Sequence, residues 1–390
     1  MSSEKEIRYI KPEEAADFQK VSAASFTWKF DAEVDSTVKC PVLAAFDNGK
    51  LIAGVETYDF RTNFCGNILN ALFVDGVCSQ PEHRRSGGIR EIFRKIGETA
   101  VENDWVFGFL HPFSVSYYEK FGYAYLNRMF GIIVPFDSLR NIPRNTDAAL
   151  YTDEQFEELS ALHNKCALKE NLIPLKDDKK HFCDKPLENA NYTYFRRNEN
   201  GEADGYVRFT VNKPNDLVVS ELFVLSPEAL RGIIGFLRNY DGIAKNLVVQ
   251  NQYQGSPFAC MADRLDGVVY ERNGGSAGRI YNMKKLLENN AYPEEYGKFR
   301  ILSIDEFEQN KGIFEVEYQN GKAVVTRKAE GEYDISLTAP AAARLMLAGE
   351  GHTAETAAYI DGVEIKGNAD DFFRAFPHRP TRFCDCNWMV

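Results

Sequence analysis

One segment, from Val77 to Arg94, constrains the fold of this chain more than any other, and it reads VCSQPEHRRSGGIREIFR. A strand ends near Val77, and a loop rich in arginine and glycine follows. Beyond the loop, apolar residues recur at the spacing of a helix with one buried face. These residues are Ile89, Ile92, Phe93 and Ile96. The segment therefore predicts a strand, a loop and the start of a helix, in that order.

The loop predicts an anion site at the start of that helix. Free backbone N–H groups and the positive end of the helix dipole meet there, and such a point binds phosphate or pyrophosphate. Gly87 and Gly88 let the backbone approach an anion closely, and Arg84 and Arg85 add positive charge. The segment contains neither G-x-x-x-x-G-K-[ST] nor G-x-G-x-x-G, so the two commonest nucleotide-binding loops are absent from it. The alternative is a plain strand-to-helix turn with solvated arginines.

Composition favours a soluble enzyme of two or three domains. The chain has 390 residues, of which 44% are hydrophobic, and a net charge of −11. The negative charge argues against nucleic acid as a partner and suits a cationic acceptor such as an amine. No apolar run has the length of a membrane span, so we predict no membrane partner. Eight scattered cysteines and the absence of a signal-peptide core predict a cytoplasmic protein with reduced thiols.

A small cluster near the end of the sequence raises the question of a metal site. It consists of His378, Cys384 and Cys386. A C-x-C pair with one histidine lacks the ligand spacing of a zinc site. The sequence therefore predicts no metal.

A second segment completes the pattern. Val106 to Leu110 reads as a short strand that ends at His111, and FSVSYYEKFGY follows from Phe113 to Tyr123. In that run Ser114 can cap a short helix and Gly122 can end it.

The two segments together resemble the GNAT superfamily of acetyltransferases. The run from Arg84 to Gly88 resembles the R-x-x-G-x-G/A loop that holds the pyrophosphate of acetyl-CoA, although Ile89 replaces the third small residue. The sequence is most similar to the Eis-like (enhanced intracellular survival) acetyltransferases. Their P-x-H-R-R-x-G and Y-x-[RK]-F-G-Y runs are matched by Pro81 to Gly87 and by Tyr118 to Tyr123.

The chain repeats its pattern of a hairpin, a strand and a helix. The first copy has a hairpin around Asp47-Asn48-Gly49, and the second has a turn at Asn200-Gly201. In the second copy Ser226-Pro227-Glu228 joins the strand to the helix, so an arginine–glycine loop is missing and an acid would repel phosphate. We predict a catalytic GNAT domain over residues 1–139 and a GNAT-like domain without cofactor over residues 140–272.

A third domain is predicted over residues 279–390, after the glycine-rich run from Asn273 to Gly278. It combines a hairpin around Asn320-Gly321 with later helices, which is an α+β pattern. The family resemblance implies a sterol-carrier-like fold here. The predicted fold class is thus α/β and α+β, with tandem GNAT-like domains of mixed sheets and helices, followed by a sterol-carrier-like domain.

The resemblance also implies the roles of individual residues. Acetyl-CoA would be the co-substrate. It would be bound by the arginine–glycine loop and by the end of the preceding strand, which separates from its neighbour in this family. The predicted cofactor-binding residues are Val77, Cys78, Ser79, Arg84, Arg85, Gly87 and Gly88. Tyr118 matches the tyrosine that protonates the leaving thiolate, and a tyrosine of pKa about 10 suits that role.

The base has two candidates. In the Eis-like family the carboxylate of the chain's last residue enters the active site, and Val390 holds that position here. His111 is the other candidate, because its ordinary pKa is close to neutral. His111 and Phe113 are also predicted to line the acceptor site.

The predicted function is acetyl-CoA-dependent N-acetylation of a primary amine. Aminoglycosides, other polyamines and lysine side chains all stay open as acceptors, because Met389 stands where aminoglycoside-acetylating members carry an acid. The alternatives are an acyltransferase for longer acyl-CoA and a non-enzymatic binding module for an apolar ligand. The resemblance further implies a homo-hexamer.

Overall fold

The computed structural model describes residues 5–31, 37–38, 40–126, 129–177, 179, 191–212, 216–272 and 275–383. Strands and helices are numbered in chain order. The strands are β1 (Glu6–Tyr9), β2 (Val42–Asp47), β3 (Lys50–Phe64), β4 (Asn67–Ser79), β5 (Phe107–Leu110), β6 (Ala124–Tyr125), β7 (Phe130–Pro135), β8 (Ala148–Leu150), β9 (Asn191–Arg197), β10 (Ala203–Asn212), β11 (Asp216–Val224), β12 (Asn246–Gln252), β13 (Val269–Arg272), β14 (Ala277–Ile280), β15 (Gly297–Ile304), β16 (Gly312–Gln319), β17 (Lys322–Lys328), β18 (Ile335–Thr338) and β19 (Val363–Ile365). The helices are α1 (Ala15–Phe26), α2 (Gly88–Thr99), α3 (Val115–Glu119), α4 (Phe156–Ala167), α5 (Pro227–Leu237), α6 (Pro257–Ala262), α7 (Met283–Glu288), α8 (Ala339–Leu347), α9 (Ala354–Ala357) and α10 (Asp370–Ala375).

The first sheet has seven strands in the order β1-β2-β3-β4-β5-β14-β6. Its β2–β3 hairpin turns at Asn48 and Gly49, which both have the positive φ that a two-residue hairpin turn requires. Strand β4 runs parallel to β5, and α2 connects them as a crossover helix. This is the strand, loop and helix order that the sequence predicts.

Helix α2 is held to the first sheet by the predicted apolar face. Its side chains Ile89, Ile92, Phe93 and Ile96 are all buried in one core with residues of β2, β3 and β4. Burial of one such side chain is worth about 1.5–3 kcal/mol, so this face accounts for the position of the helix.

The second sheet also has seven strands, in the order β13-β7-β12-β11-β10-β9-β8. Strands β9, β10 and β11 form an antiparallel meander, and α5 then leads to β12, which runs parallel to β11. The order of hairpin, strand and helix therefore repeats that of the first sheet, as the sequence predicts, and in both sheets a parallel strand follows the helix.

The third sheet has five strands in the order β17-β16-β15-β18-β19. The predicted hairpin at Asn320-Gly321 joins β16 to β17, and α8, α9 and α10 follow the hairpin. This is the predicted succession of strands first and helices later.

By contact density the chain divides into two compact units. The first unit consists of Met1–Arg61, Leu69–Leu126 and Ser276–Pro377, and it contains the first and third sheets. The second unit contains the second sheet, together with Thr62–Ile68 and the described residues of 378–383. None of the helices in the described ranges is both long enough and apolar enough to cross a membrane.

Two strands fall on the other side of the predicted domain boundaries. Strand β7 precedes residue 139 but pairs with β12 and β13 of the second sheet. Strand β14 includes Ala277 and Gly278, which read as linker in the sequence, yet it pairs with β5 and β6 of the first sheet. The physical reason is close packing, because a Cβ atom on Gly278 would lie 2.3 Å from the Leu126 side chain. Gly278 is thus required by tight burial rather than by flexibility.

Candidate functional site

The site begins where β4 and β5 separate. The two strands pair only between Ala71 and Phe73 on β4 and between Phe107 and Phe109 on β5. Strand β5 ends at Leu110, whereas β4 continues to Ser79 through Gly76, whose φ is +56°. A ligand at this opening would meet the edge of β4 beyond its pairing with β5.

The loop after β4 leads directly into α2. A short 3-10 turn at Pro81–His83 comes first, and Arg85 and Gly87 then adopt positive φ values of 66° and 91°. Gly87 is the N-cap of α2, and no side chain caps that helix. The first N–H groups of an α-helix have no partner within the helix, so this uncapped end presents hydrogen-bond donors.

The loop, the end of β4 and helix α3 border one cleft of about 940 Å³, which we call the first-unit cleft. It is lined by Ser25, Phe26, Val77, Cys78, Ser79, His83, Arg84, Arg85, Ser86, Gly87, Gly88, Ile89, Arg90, Phe113, Tyr117, Lys120 and Phe121. All seven residues predicted to bind the cofactor are therefore at one cleft.

The charge around the first-unit cleft is positive. Arg84, Arg85 and Arg90 are exposed at its border. The acid in the first turn of α2, Glu91, is 2.9 Å from the Arg94 guanidinium, which offsets its charge. The helix dipole and the arginines therefore act in the same direction on an anion.

The two glycines of the loop have different surroundings. A Cβ atom on Gly87 would meet nothing within 4 Å, so this glycine faces open space at the cleft. A Cβ atom on Gly88 would lie 3.2 Å from the Ala53 Cβ atom. Gly87 is thus required by its backbone conformation, whereas Gly88 lets α2 pack closely on β3.

Tyr118 lies on α3 and is 3% exposed. Its ring makes edge contacts with those of Phe93 and Tyr117, with centroids 6.0 and 5.1 Å away. Burial raises the pKa of Tyr118 above its ordinary value, and Tyr117 and Asp75 raise it further. Tyr118 is thus protonated at neutral pH, as a general acid must be, but it is not among the residues that line the first-unit cleft.

Tyr117, the neighbour of Tyr118, does line the first-unit cleft. It is half-buried, and its burial raises the pKa of its hydroxyl. Its place at the cleft makes it the natural control for any test of Tyr118.

Helix α3 begins differently from the prediction. Ser114 is the N-cap residue, but its hydroxyl lies 3.2 Å from that of Ser116 and caps no backbone N–H. Phe113 is 76% exposed and lines the first-unit cleft, and its contact with the acceptor stays a prediction.

His111 is exposed just beyond the end of β5. Its Nδ1 atom is 3.2 Å from the hydroxyl of the buried Ser276, and its ring packs against Phe73 at 5.2 Å. These two contacts fix the orientation of the ring. His111 is not among the residues that line the first-unit cleft.

Cys78 contributes backbone to the cleft but not a reactive thiol. Its side chain is buried and donates to the Gly54 carbonyl at 3.6 Å. Burial, together with the carboxylate of Glu56, raises the pKa of Cys78 to about 12. A thiol in this state is a poor nucleophile.

Two carboxylates lie close to the opening, one on β3 and one on β4 itself. Glu56 accepts from the Tyr58 hydroxyl at 3.4 Å, and a Cβ atom on Gly76 would lie 3.0 Å from the same carboxylate. Asp75 precedes Gly76, and its charge raises the pKa of Tyr118. This side of β4 is thus acidic, whereas the loop side is basic.

The sequence reading missed two residues of α1 that line the first-unit cleft, Ser25 and Phe26. Ser25 donates to the Ser79 carbonyl at 3.3 Å, which joins the end of α1 to the end of β4. The one feature that could have indicated this contact is an aromatic residue at the end of a helix, and in the structure Phe26 is largely exposed.

Val390, Cys384 and Cys386 lie outside the described residues. Among the residues that are described, no group of three or more His, Cys, Asp and Glu side chains is placed to hold a metal ion.

The second unit has the same strand and helix arrangement without the loop. Ser226 caps α5 by accepting from the Ala229 N–H at 3.1 Å. Glu228 adds a negative charge in the first turn. The first turn of α5 thus has a side-chain cap, which the start of α2 lacks, as well as a negative charge; that the second unit binds no cofactor stays a prediction.

Comparison with known families identifies both copies. The family model described as an acetyltransferase (GNAT) domain matches residues 6–126, and a second model of the same description matches residues 176–280. Together the two matches cover more than half of the chain. No curated protein sequence matches the chain.

Solved structures with this fold cover nearly the whole chain. A probable N-acyltransferase of unknown function from Enterococcus faecalis V583 has a TM-score of 0.85 and 17% identity, over 98% of this chain and 100% of that one. A GCN5-related N-acetyltransferase from Anabaena variabilis has a TM-score of 0.81 and 16% identity, over 96% and 97%. Eis1 from Mycobacterium abscessus has a TM-score of 0.74 and 17% identity, over 97% of each chain. At these identities the likeness concerns the fold.

The tandem GNAT fold predicted from the sequence is thus confirmed, and a third sheet accompanies it. The alternative of a non-enzymatic module is not retained, because the family is one of enzymes. The chain therefore contains two GNAT acetyltransferase domains and is an acyltransferase.

Proposed function

We propose that this protein transfers an acetyl group from acetyl-CoA directly to a primary amine, with Tyr118 as the general acid. The observation that carries the proposal is the first-unit cleft, where the seven predicted cofactor residues meet an uncapped helix start. Such a helix start, with arginines beside it, suits the pyrophosphate of a coenzyme A thioester.

The residues of the chain would divide the binding between them. The N–H groups at the start of α2, with Arg84 and Arg85, would hold the pyrophosphate. The edge of β4 from Val77 to Ser79 would offer backbone groups to the pantetheine arm and to the thioester oxygen. This oxygen gains charge in the transition state, so donors fixed on a strand would stabilise it there.

Direct transfer is favoured over an acyl-cysteine intermediate. A cysteine nucleophile needs a thiolate, whereas the pKa of Cys78 is raised to about 12 and its side chain is buried. The amine would therefore attack the thioester itself. The acidic side of β4, formed by Glu56 and Asp75, would favour a cationic acceptor near the acetyl group.

Proton transfer completes the reaction. The amine nitrogen loses a proton on forming the amide, and the sulfur of coenzyme A gains one on leaving. Tyr118 would supply the second proton, because its raised pKa keeps it protonated. The base would be either the terminal carboxylate of Val390 or the imidazole of His111.

The assignment of the acid is tested with Tyr118→Phe and Tyr117→Phe as a matched pair. Both changes keep the ring and remove one hydroxyl. We expect Tyr118→Phe to lower kcat by about 10²–10⁴-fold with acetyl-CoA affinity retained, and Tyr117→Phe to have a much smaller effect. Full activity in Tyr118→Phe together with a collapse in Tyr117→Phe would move the acid to Tyr117.

The acceptor and the preferred acyl group would be identified by a screen of substrates. Release of coenzyme A would be followed with an aminoglycoside, a polyamine and a lysine peptide, each with acetyl-, propionyl- and longer acyl-CoA. A thiol reagent needs an enzyme blank, because Cys260 is exposed. Faster turnover of long acyl chains than of acetyl would favour the acyltransferase alternative.

Two variants distinguish between the candidate bases. Two glycines added after Val390 would shift the terminal carboxylate by several ångströms and leave every side chain unchanged. If that carboxylate is the base, kcat should fall with little change in melting temperature or acetyl-CoA affinity. His111→Ala should then be milder. The opposite ranking would assign the base to His111.

A further inference from the structure

The second unit contains a pocket of about 320 Å³ that no step of acetyl transfer uses. It lies where β11 ends and where α5 and α6 begin, and Leu222, Leu230 and Phe258 are among its walls. This is the same position in the repeated fold that the first-unit cleft has beside β4 and α2. We call it the second-unit pocket.

The helix start at the second-unit pocket would disfavour phosphate. Ser226 and Pro227 line the pocket, and the Ser226 hydroxyl already accepts from the first turn of α5. Glu228 adds a negative charge to that turn. A ligand here would therefore differ from a coenzyme A ester in lacking phosphate groups.

Of the charged residues that line the pocket itself, two are cations and one is an anion, and Glu228 is not among the lining residues. Arg382 is buried, stacks over the Phe223 ring at 4.4 Å and lies 3.0 Å from Glu170. This ion pair compensates one cation. Lys169 is exposed at the pocket, and no ion pair involves it among the residues that the structure describes. The positive charge of Lys169 is thus not balanced by the Arg382–Glu170 pair, and it lies beside the apolar walls of the cavity.

The size of the cavity limits the ligand. A volume of 320 Å³ is at the lower end of small-molecule sites and corresponds to about ten molecules of liquid water. A ligand of about ten non-hydrogen atoms would fill it.

We propose that the second-unit pocket binds a monocarboxylate with an apolar chain of about eight carbons. The chain would pack among Leu222, Leu230 and Phe258, and the carboxylate would face Lys169. This inference does not rest on the proposed acetyl transfer, because the site is formed by a different copy of the fold.

The probe for this proposal is sodium octanoate, titrated calorimetrically into the full-length protein with saturating coenzyme A to occupy the first-unit cleft. We expect one saturable site, and weaker binding of octan-1-ol, which has the same chain without the charge. The absence of saturable octanoate binding would overturn the proposal. Equal affinities for octanoate and octan-1-ol would overturn its anionic part.

Variants would locate the site. Leu230→Trp should fill the cavity and weaken octanoate binding at least tenfold, with acetyl-CoA binding retained. Leu230→Phe is the smaller change to use if the tryptophan variant does not fold. Lys169→Glu should weaken binding about threefold to tenfold, whereas Lys245→Glu, at another exposed lysine, should leave it unchanged. Unchanged affinity in a folded Leu230 variant would place octanoate elsewhere and contradict the proposal.

Discussion

At the residue scale, the surroundings of a side chain decide what it can do more than its type does. Tyr117 and Tyr118 are adjacent in the chain, yet Tyr118 is buried among aromatic rings and Tyr117 borders the first-unit cleft. Cys78 is similarly placed on the site strand, but its burial removes it as a nucleophile. On helix α3 and on strand β4, successive side chains point in different directions, which the sequence shows only as neighbouring letters.

The raised pKa of Tyr118 predicts the pH dependence of turnover. The acid works in its protonated form, which exists below its pKa, so a raised pKa extends the active range toward alkaline pH. We expect kcat to rise as the amine acceptor loses its proton, and to show no descending limb below about pH 10. The profile would be measured with a saturating primary amine. A descending limb near pH 8 would contradict Tyr118 as the acid.

At the element scale, local patterns were sufficient for most of the first unit, and long-range pairing was not predictable. The apolar period after Gly88 indicated α2, and the Asn-Gly turns indicated the hairpins. Strand β14 was missed because Ala277 and Gly278 resemble a linker until their partners on β5 and β6 are known. Likewise, the contribution of α1 to the cleft depends on a contact between Ser25 and Ser79 that no local pattern carries.

Helix α2 has one position where close packing excludes any side chain. A Cβ atom on Gly97 would lie 1.8 Å from the ring of the buried Phe307. Gly97→Ala should therefore destabilise the protein by about 1–3 kcal/mol in urea unfolding, even though alanine is the better helix former by about 1 kcal/mol. The control is Glu98→Ala at the exposed neighbouring position. A Gly97→Ala variant as stable as the wild type would show that Phe307 moves away at no cost.

At the scale of the whole molecule, one buried arginine joins the tyrosine motif to the third sheet within the first unit. Arg279 on β14 is 2% exposed, and its guanidinium lies 2.6 Å from Asp305 and 4.2 Å from the Phe307 ring centroid. It also donates to the Phe121 carbonyl. A Cβ atom on Gly122 would lie 2.7 Å from this guanidinium, which explains the glycine of the F-G-Y run.

Removal of Arg279 should therefore be costly. Arg279→Met leaves the Asp305 carboxylate buried without its cation, a change that typically costs about 3–5 kcal/mol. The double variant with Asp305→Leu should recover part of this loss, because it removes the uncompensated charge. Denaturant unfolding of both variants measures the coupling. Additive losses would mean that the two side chains do not interact.

The hexamer implied by the Eis-like resemblance stays a prediction, as do the cytoplasmic location and the sterol-carrier-like nature of the third sheet region. Sedimentation at micromolar protein concentration tests the assembly. A species of six chains would agree with the resemblance. A single species of 44.2 kDa would refute the hexamer without affecting the fold or the site.

The central claim is that the Arg84–Gly88 loop binds the pyrophosphate of acetyl-CoA, and calorimetric titration of acetyl-CoA tests it most directly. Arg84→Ala should weaken binding about tenfold or more, since a hydrogen bond to a charged group is worth about 1.5–3 kcal/mol. Gly87→Asp should be more severe, because it directs a negative side chain into the open space at the cleft. Lys95→Ala, on the exposed face of α2, should bind as the wild type does. Wild-type affinity in both loop variants would contradict the account.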